Sequence, residues 1–309
     1  MRVGRGALAA EAFLDQKWDR SALHHTAVRF EDLPAPAAPP KLNFIWHTSF
    51  CCSTLIAASL DSLGKSLSLK EPKILVDLAD AKRRGDLARA PGLPPAILAL
   101  LARRFGAGEQ ILVKPSNGAN ALIGEASAST EGRALLLHSD CRAFLVSVAK
   151  NGEPVRAYVR GLFMALMADR PGAVRWPAGD LMRLTDLQLA AVAWQLQMAV
   201  LRRAAESLGE RARSLNSADF LAEPKATLNA LDDFFAIGIG RTVIGRTVTG
   251  PDFRRDPKSR AGFDAGRRAE AAAAAESALG EDLDRIVDWS FKVCPWAQPG
   301  TALPNPLLG

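Results

Sequence analysis

The sequence has few of the residues that build metal centres and disulfide scaffolds. Its 309 residues include only four histidines and four cysteines, none of the cysteines in a Cys-x-x-Cys pair, and the histidines show no metal-ligand spacing. The cysteines are Cys51, Cys52, Cys141 and Cys294. We therefore expect no metal site, no disulfide framework and reduced thiols, as in a cytoplasm.

The sequence is also poor in aromatic residues and in excess charge. Tyr158 is the only tyrosine, aromatics make up 6%, and no alternation of basic and aromatic residues indicates a groove for single-stranded nucleic acid. Lys and Arg total 39 against 33 Asp and Glu, a net charge of +6. This mild excess fits an anionic ligand, but it is too small for a nucleic-acid coat, so we expect no nucleic-acid partner.

Long hydrophobic runs are missing as well. The most apolar long stretch, 187–201, contains Gln188, Gln195 and Gln197 and is too short to span a bilayer. The first 20 residues lack a long apolar core before their first acids, which argues against a secretory signal. We expect a cytoplasmic protein without a membrane span.

What is present is the pattern of an α/β protein. Apolar residues make up 48%, enough for a sizeable core. Short apolar runs at 43–46, 66–70, 111–114 and 133–138 alternate with helical segments at 53–64, 72–84, 97–105, 119–128 and 141–150. This alternation predicts a three-layer sandwich with a central parallel sheet.

The flanking regions differ from this pattern. Residues 1–41 are interpreted as an N-terminal extension that ends in a Pro/Ala connector, and 42–309 as a single domain. The second half is a helical C-terminal elaboration, with helices predicted at 155–169, 185–208, 223–235 and 286–294. Residues 213–217 are a candidate return to the sheet, and 238–260 has no clear periodicity.

The turn that follows the first predicted strand is the most informative segment. The strand at 43–46 runs into small polar residues and then directly into a helix. Such a turn directs the first backbone N–H groups of the helix at one spot, which favours a phosphate or sulfate, and Ser53 and Thr54 would add hydroxyl donors. The alternative is an ordinary strand-to-helix turn with Ser53 as its N-cap.

This turn lacks the motif of nucleoside triphosphatases. That motif requires Gly-x-x-x-x-Gly-Lys-Ser/Thr, and here no glycine lies between Phe44 and Leu63 and no lysine stands in the turn. A magnesium–nucleotide hydrolase or kinase is therefore disfavoured.

The segment SFCCSTLI (49–56) resembles the phosphosulfate loop of sulfotransferases that use 3′-phosphoadenosine 5′-phosphosulfate, typically PKSGTTWL or PRSGSTLL. In this alignment Ser49 stands at the proline, Phe50 at the Lys or Arg, Cys51 at the serine and Cys52 at the glycine, followed by Ser53 and Thr54. The six residues would form the donor-binding loop.

Three further segments resemble motifs of this family in the same order. LVKPSN (112–117) is similar to a strand ending in LK-x-P, SDCRAFLVS (139–147) to RDPRDVVAS, and 213–235 to a strand and helix of the form RYEDLVADPEATLRRLLDFLG. The resemblance, to a divergent bacterial branch, covers 43–235. It implies a fold like that of P-loop nucleotide hydrolases, the phosphosulfate nucleotide as donor, a small-molecule hydroxyl or amine as acceptor, and no metal.

Two positions depart from the family pattern. Phe50 replaces the loop cation, and Ser139 replaces the arginine that grips the 3′-phosphate, although Ser147 keeps the family serine and Arg142 keeps a basic residue. Either other cations compensate, or the protein is a non-catalytic nucleotide- or phosphate-binding protein of the same fold.

A cation near the bridging oxygen would help sulfuryl transfer. Lys114 is the first candidate because it ends a neighbouring strand and matches the family lysine, with Lys70 and Arg142 next. The alternative is that Lys114 only pairs with a surface acid.

A base must accept the proton of the acceptor, and strand ends supply the candidates. His47 lies beside the turn, and Glu71 follows the second strand. His138 is a third possibility that could instead bind adenine or a phosphate. Each of these side chains could equally be structural.

Two more features can be interpreted either as functional or as purely structural. Cys51 or Cys52 could be a reactive thiol at a helix N-terminus, or both could stand there because they are small. Arg254, Arg255, Lys258 and Arg260 could form a flap over the 3′-phosphate, or a solvated basic loop.

Overall fold

The computed structural model of the protein describes residues 4–15, 28–33, 36–170, 172–173, 176–250, 253, 265–294, 296 and 302–308. Within these ranges no helix combines the length and apolar character needed to cross a membrane.

Five parallel strands form the central sheet. They are β1 (Asn43–His47), β2 (Ser66–Lys70), β3 (Gln110–Lys114), β4 (Ala134–His138) and β5 (Ala212–Asn216), in the order β2-β3-β1-β4-β5. Most strand residues are buried, as their short apolar runs predict for a sheet covered on both faces. The predicted parallel sheet is confirmed, including the return of the chain at 213–217.

The helices connect and cover these strands. They are α1 (Arg5–Ala10), α2 (Ser53–Ser59), α3 (Lys73–Arg83), α4 (Leu93–Leu101), α5 (Ile123–Ser129), α6 (Cys141–Lys150), α7 (Gly152–Asp169), α8 (Ala178–Leu181), α9 (Asp186–Leu208), α10 (Ser217–Ala222), α11 (Pro224–Phe235), α12 (Arg241–Thr249) and α13 (Ala265–Val293). Short 3-10 turns lie at Phe30–Asp32, Asp86–Ala88, Asn117–Leu122 and Gly209–Arg211.

Two apolar cores lie on opposite faces of the sheet because successive strand residues point to opposite sides. Phe44 and Trp46 pack in the core that includes α3, α4, α5, α6, α9 and α13. Ile45, Leu112 and Leu137 pack in the core under α2, α10, α11 and α12. The three-layer sandwich predicted from the sequence is therefore confirmed.

The long helix α9 agrees with the helix predicted at 185–208. Thr185 and Gln188 form a reciprocal capping box at its start. Trp194 and Leu201, which lie on one side of the helix, are buried in the main core.

Some helix boundaries differ from the prediction. Helix α4 begins at Leu93, four residues early, because prolines fit the first turn of a helix. Segment 119–128 divides into the 3-10 turn Asn117–Leu122 and α5. Helix α12 forms in the region without periodicity, where it buries only Ile244. Helix α13 begins 21 residues earlier than the predicted 286.

Residues near both chain ends cover the two edge strands. The N–H of Leu14 donates to the carbonyl of Lys70 at 2.7 Å, and the N–H of Ser214 donates to the carbonyl of Asn305 at 2.7 Å. These contacts protect the open edges of the sheet. They also bring Leu14, from the predicted N-terminal extension, into the main core.

Candidate active site

The strand order defines a crevice at the carboxyl ends of β1 and β4. These strands are neighbours, with His47 beside Leu137. The chain leaves β1 toward β2 and leaves β4 toward β5, that is, in opposite directions along the sheet. Open α/β sheets bind ligands at such a point.

The loop after β1 has an unusual backbone. Ser49, Phe50 and Cys52 have φ values of 74°, 52° and 63°, in the left-handed region that disfavours residues with a Cβ by about 1–2 kcal/mol each. Strain of this kind is concentrated at functional sites. One strained residue, Cys52, stands where the resembling family has glycine.

The helix that follows this loop begins without a side-chain cap. Cys52, not Ser53, is the N-cap of α2, and among the described residues no side chain accepts a hydrogen bond there. The first helical hydrogen bond runs from the Ile56 N–H to the Cys52 carbonyl at 3.0 Å. Within the described chain the N–H groups of 53–55 therefore have no partner, although Ser53 and Thr54 are buried.

Three buried side-chain atoms in α2 and at the carboxyl end of the neighbouring strand β4 are also unpartnered within the described ranges. The Thr54 hydroxyl, the Ser139 hydroxyl and Nδ1 of His138 have no hydrogen-bond partner in the described part of the chain, and all three residues are at most 3% exposed. Burial lowers the pKa of His138, which favours a neutral imidazole. Because buried polar atoms are normally hydrogen-bonded, each of these atoms is a candidate contact for a ligand.

Phe50, at the position of the family's loop cation, is used for packing. Its ring makes an edge contact with the ring of Phe144 in α6, with centroids 5.4 Å apart. It is partly buried against the main core. This contact fastens the loop to α6 without supplying a positive charge.

The candidate cation and one candidate base are ion-pair partners. The ammonium group of Lys114, 1% exposed, donates to the carboxylate of Glu71. It also lies 5.5 Å from the ring centre of Phe13. Lys114 is on the sheet face that α2 covers, because Leu112 two residues earlier packs in that core. The charge of Glu71, the acid that pairs with Lys114, also contributes to the raised pKa of Tyr158, whose hydroxyl contacts Ser49 of the loop.

Lys70 lies beside Lys114 in the strand register. Its ammonium group donates to the carbonyl of Ala9 at 2.8 Å. Burial lowers its pKa, and the neighbouring charge of Lys114 lowers it further. Two buried lysines therefore end adjacent strands near the crevice.

His47 connects the loop to β3. Its Nδ1 accepts from the N–H of Ser49 at 3.1 Å, so its Nε2 carries the proton and donates to the carbonyl of Pro115 at 2.9 Å. The imidazole is 3% exposed. Both ring nitrogens thus shape the loop, and a catalytic role for His47 would require one of these bonds to break.

The residues expected to grip a 3′-phosphate are not brought together as a cationic site. Arg142 pairs with Glu276 and with Asp284 of α13, and these hydrogen bonds raise its pKa. Ser147 lies farther along α6 and is half-buried, with its carbonyl accepting from Asn151. The charge of Arg142 therefore holds α13 against α6.

The structure adds a hydrogen-bonded network that the sequence analysis missed. The Tyr158 hydroxyl donates to Oδ1 of Asn117 and lies 3.2 Å from the Ser49 hydroxyl. Asn117 Nδ2 donates to Gln197 at 2.8 Å, and Gln197 donates to the carbonyl of Ala193 at 3.3 Å. The Ala193 carbonyl can only accept, so Gln197 turns its N–H group toward Ala193 and its Oε1 toward Asn117. Oδ1 of Asn117 then accepts the one proton of the Tyr158 hydroxyl. The Ser49 hydroxyl is therefore the donor in its bond to Tyr158.

The environment of the Tyr158 hydroxyl keeps it protonated. Part of this residue is exposed, but burial of its hydroxyl end raises the pKa to about 12. Its only signal in the sequence is that it is the single tyrosine.

The two adjacent cysteines have different surroundings. Cys51 is fully buried, with Sγ 3.8 Å from the carbonyl of Leu137, which agrees with selection for small size. Cys52 is half-buried. Among the described residues no group of three or more His, Cys, Asp or Glu could hold a metal ion. The predicted basic flap of Arg254, Arg255, Lys258 and Arg260 lies outside the described residues.

Comparison with known proteins identifies the fold. No protein-family model matches the chain, and neither does any curated protein. Among solved structures, the sulfotransferase domain from the curacin biosynthetic pathway is similar at 12% sequence identity and a TM-score of 0.50, over 79% of this chain and 99% of that domain. The chain therefore has a sulfotransferase-like fold, a five-stranded parallel sheet between two helical layers with further helices in its C-terminal half.

Proposed function

We propose that the protein transfers a sulfuryl group from 3′-phosphoadenosine 5′-phosphosulfate to a hydroxyl or amine of a small molecule. The observation that carries the proposal is the buried, uncapped start of α2. Three backbone N–H groups, 53–55, have no partner within the described chain, and neither do the hydroxyls of Thr54 in the same helix and of Ser139 just after the neighbouring strand β4. An oxyanion would satisfy them together.

Hydrogen bonds, more than the helix dipole, would hold the donor. Helix α2 has only seven residues, and dipole effects fall off within the first turn and are modest. A charge-assisted hydrogen bond to an oxyanion is about twice as strong as a neutral one. The strained loop keeps these donors in place before binding, so little reorganisation is needed.

In the transfer, the acceptor oxygen or nitrogen forms a bond to sulfur while the bond between sulfur and the bridging oxygen breaks. The electron pair of that bond goes to the phosphate of the leaving bisphosphate. We propose Glu71 as the base that takes the acceptor's proton, because His47 uses both ring nitrogens in the loop. Lys114, paired with Glu71, would stabilise the charge on the leaving group.

A second candidate is a non-catalytic nucleotide-binding protein of the same fold. Two observations favour it: Phe50 packs on Phe144 where the family has a cation, and Arg142 is paired with carboxylates of α13. Both candidate functions use the same anion site, but only the sulfotransferase converts the phosphosulfate donor to product.

Calorimetric titration with adenosine 3′,5′-bisphosphate tests the shared site. We expect micromolar affinity, weakened about tenfold in Thr54→Val, which loses an unpartnered hydroxyl. Thr227→Val, at a buried threonine that bonds its own helix, is the matched control and should bind normally. Absence of binding to the bisphosphate at millimolar concentration would refute both candidates.

Turnover of the phosphosulfate donor with a panel of phenols, sugars and amines separates the two candidates. Sulfated product from any acceptor supports the enzyme, and its loss in Glu71→Gln, at a temperature where circular dichroism shows that variant folded, supports Glu71 as the base. Tight bisphosphate binding without turnover of any acceptor supports the non-catalytic protein.

A further inference from the structure

A second basic region lies away from the loop after β1. A cavity of about 640 Å³ opens between the C-terminal parts of α3, α7 and α9 and the helix α5. Its charged lining residues are Lys82, Arg83, Asp169, Arg170, Arg203 and Arg211. This volume falls in the range of small-molecule sites.

Two of the cations at this cavity are neutralised by carboxylates. Arg83 makes two hydrogen bonds of 2.8 Å to Asp169. Lys82 pairs with Glu125 at 2.7 Å. These pairs need no ligand.

Three guanidinium groups at the cavity have no carboxylate partner among the described residues. Arg211 donates only to the carbonyls of Thr130 and Gly132. The guanidinium groups of Arg170 and Arg203 make no ion pair or hydrogen bond in the described part of the chain, and Nη1 of Arg170 is buried. Cations at helix C-termini are ordinary, but a buried N–H group without an acceptor is not.

The charges of Arg170 and Arg203 favour an anion bound between them. Burial lowers the pKa of Arg170, and the nearby positive charge of Arg203 lowers it further. An anion between the two groups would remove the repulsion and supply the acceptor that Nη1 lacks.

The rest of the lining indicates what the anion is attached to. Asn120 is 1% exposed, and its Oδ1 has no partner among the described residues, so it would accept a hydrogen bond from a ligand. Ile123, Leu166 and Val200 supply apolar surface beside the arginines. The cavity therefore suits a molecule with an anionic group at one end and a hydrocarbon part at the other.

The arginine part of the cavity is separate from the loop after β1, although another lining residue, Asn120, donates to the carbonyl of His47 at 3.0 Å. Arg211 immediately precedes β5 and donates to residues that precede β4, which places it at the amino ends of these strands. The loop lies at the carboxyl ends, a strand length away. At about 3.3 Å per residue, five residues span roughly 15 Å.

We propose that this cavity is a second binding site, for a small organic phosphate or sulfate ester whose anionic group contacts Arg170, Arg203 and Arg211. The site does not depend on the sulfuryl transfer proposed above. Its ligand is a separate molecule from the nucleotide, so both bind at once.

Calorimetry of the full chain at low ionic strength tests the site with four probes: n-hexyl phosphate, n-hexyl sulfate, inorganic phosphate and n-hexanol. We expect at least one hexyl ester to bind about tenfold or more tightly than inorganic phosphate, because its chain buries apolar surface. Hexanol, which lacks the charge, should not bind. Equal binding of hexanol and the esters, or no binding of either ester, would overturn the proposal.

Paired charge variants locate the binding. Arg170→Gln/Arg203→Gln should weaken ester binding about tenfold or more. Arg103→Gln/Arg104→Gln removes the same charge from two exposed arginines outside the cavity and should bind as the wild type does. Equal weakening in both double variants would overturn the assignment. If the first variant fails to fold, Arg203→Ala replaces it, because Arg203 is exposed.

Two further titrations separate this site from other anion binding. Saturating adenosine 3′,5′-bisphosphate should leave the affinity for the hexyl ester unchanged, whether or not the bisphosphate binds, and competition would overturn a separate site. Binding to phosphatidylglycerol vesicles that requires Arg170 and Arg203, without binding of either hexyl ester, would show a lipid surface as the ligand and refute the small-molecule assignment.

Discussion

The ammonium group of Lys114 forms an ion pair with the carboxylate of Glu71, and the two residues end or follow adjacent parallel strands. Lys114 is almost completely buried, whereas 23% of the Glu71 side chain is exposed. The pair therefore places a buried positive charge at the crevice and keeps an acid within reach of solvent and substrate. Removal of either charge alone, or of both, measures how much this pair contributes to stability.

Removal of Glu71 alone should destabilise the fold, because it leaves the buried charge of Lys114 without its carboxylate. We expect Glu71→Gln to lower the free energy of unfolding by about 3 kcal/mol. Glu71→Gln/Lys114→Met, which removes both charges, should recover most of that loss. Urea denaturation of both variants and of Lys114→Met measures this coupling, and additive effects would contradict it.

Removal of the Tyr158 hydroxyl should loosen the loop after β1. Tyr158→Phe leaves Oδ1 of buried Asn117 without its donor and takes the partner from Ser49. We expect a loss of about 1–3 kcal/mol in unfolding free energy and faster hydrogen exchange in residues 48–53. Met164→Leu, at an exposed position of the same helix, is the control and should change neither quantity. Unchanged exchange in Tyr158→Phe would show that the network does not hold the loop.

The sheet and the position of the loop could be predicted from the sequence because both depend on local patterns. The runs at 43–46 and 111–114 are apolar on both faces, which is typical of buried parallel strands. The turn at 49–54 joins a strand to a helix with small polar residues. Helix α12 was not predicted because it buries only Ile244 and so lacks a periodic stripe.

Other features of the site could not be predicted because they depend on partners distant in sequence. The carboxylates that hold Arg142 come from α13, more than 130 residues later, and Asn117 meets Tyr158 across 41 positions. No local pattern encodes such pairings. The role of Arg142 therefore depends on how α13 packs against α6.

The buried imidazole of His138 should make stability depend on pH. Burial lowers its pKa in the folded state below the ordinary value of 6.5. The unfolded chain then binds more protons as the pH falls below 6.5, so this histidine destabilises the fold there and has no effect at higher pH. We expect His138→Gln to show a smaller loss of unfolding free energy than the wild type between about pH 7 and pH 5. Urea titrations of both proteins at the two pH values measure the difference. Identical losses of unfolding free energy in the two proteins would contradict a lowered pKa for His138.

Glycine should be tolerated at Cys52 but not at Cys51. Cys52 has φ 63°, a conformation that glycine adopts without the Cβ penalty, so Cys52→Gly should leave stability unchanged or raise it by about 1 kcal/mol. Cys51→Gly empties a fully buried position in the core under α2 and should destabilise the fold. Thermal unfolding of the two variants gives the comparison. A larger loss at Cys52 would show that its side chain matters more than the strain of its backbone.

A lysine at position 50 should strengthen anion binding at the loop. Phe50 occupies the place of the family's loop cation, and its exchange removes the contact with Phe144 whatever the new residue. Phe50→Leu loses the aromatic contact without adding charge, so it is the matched control for Phe50→Lys. We expect Phe50→Lys to bind adenosine 3′,5′-bisphosphate about tenfold more tightly than Phe50→Leu, with the difference shrinking as salt is added, because an ammonium near a phosphate gains charge-assisted hydrogen bonds that salt screens. Equal affinities of the two variants at low salt would show that position 50 does not face the bound anion, and the alignment of Phe50 with the family cation would then be wrong.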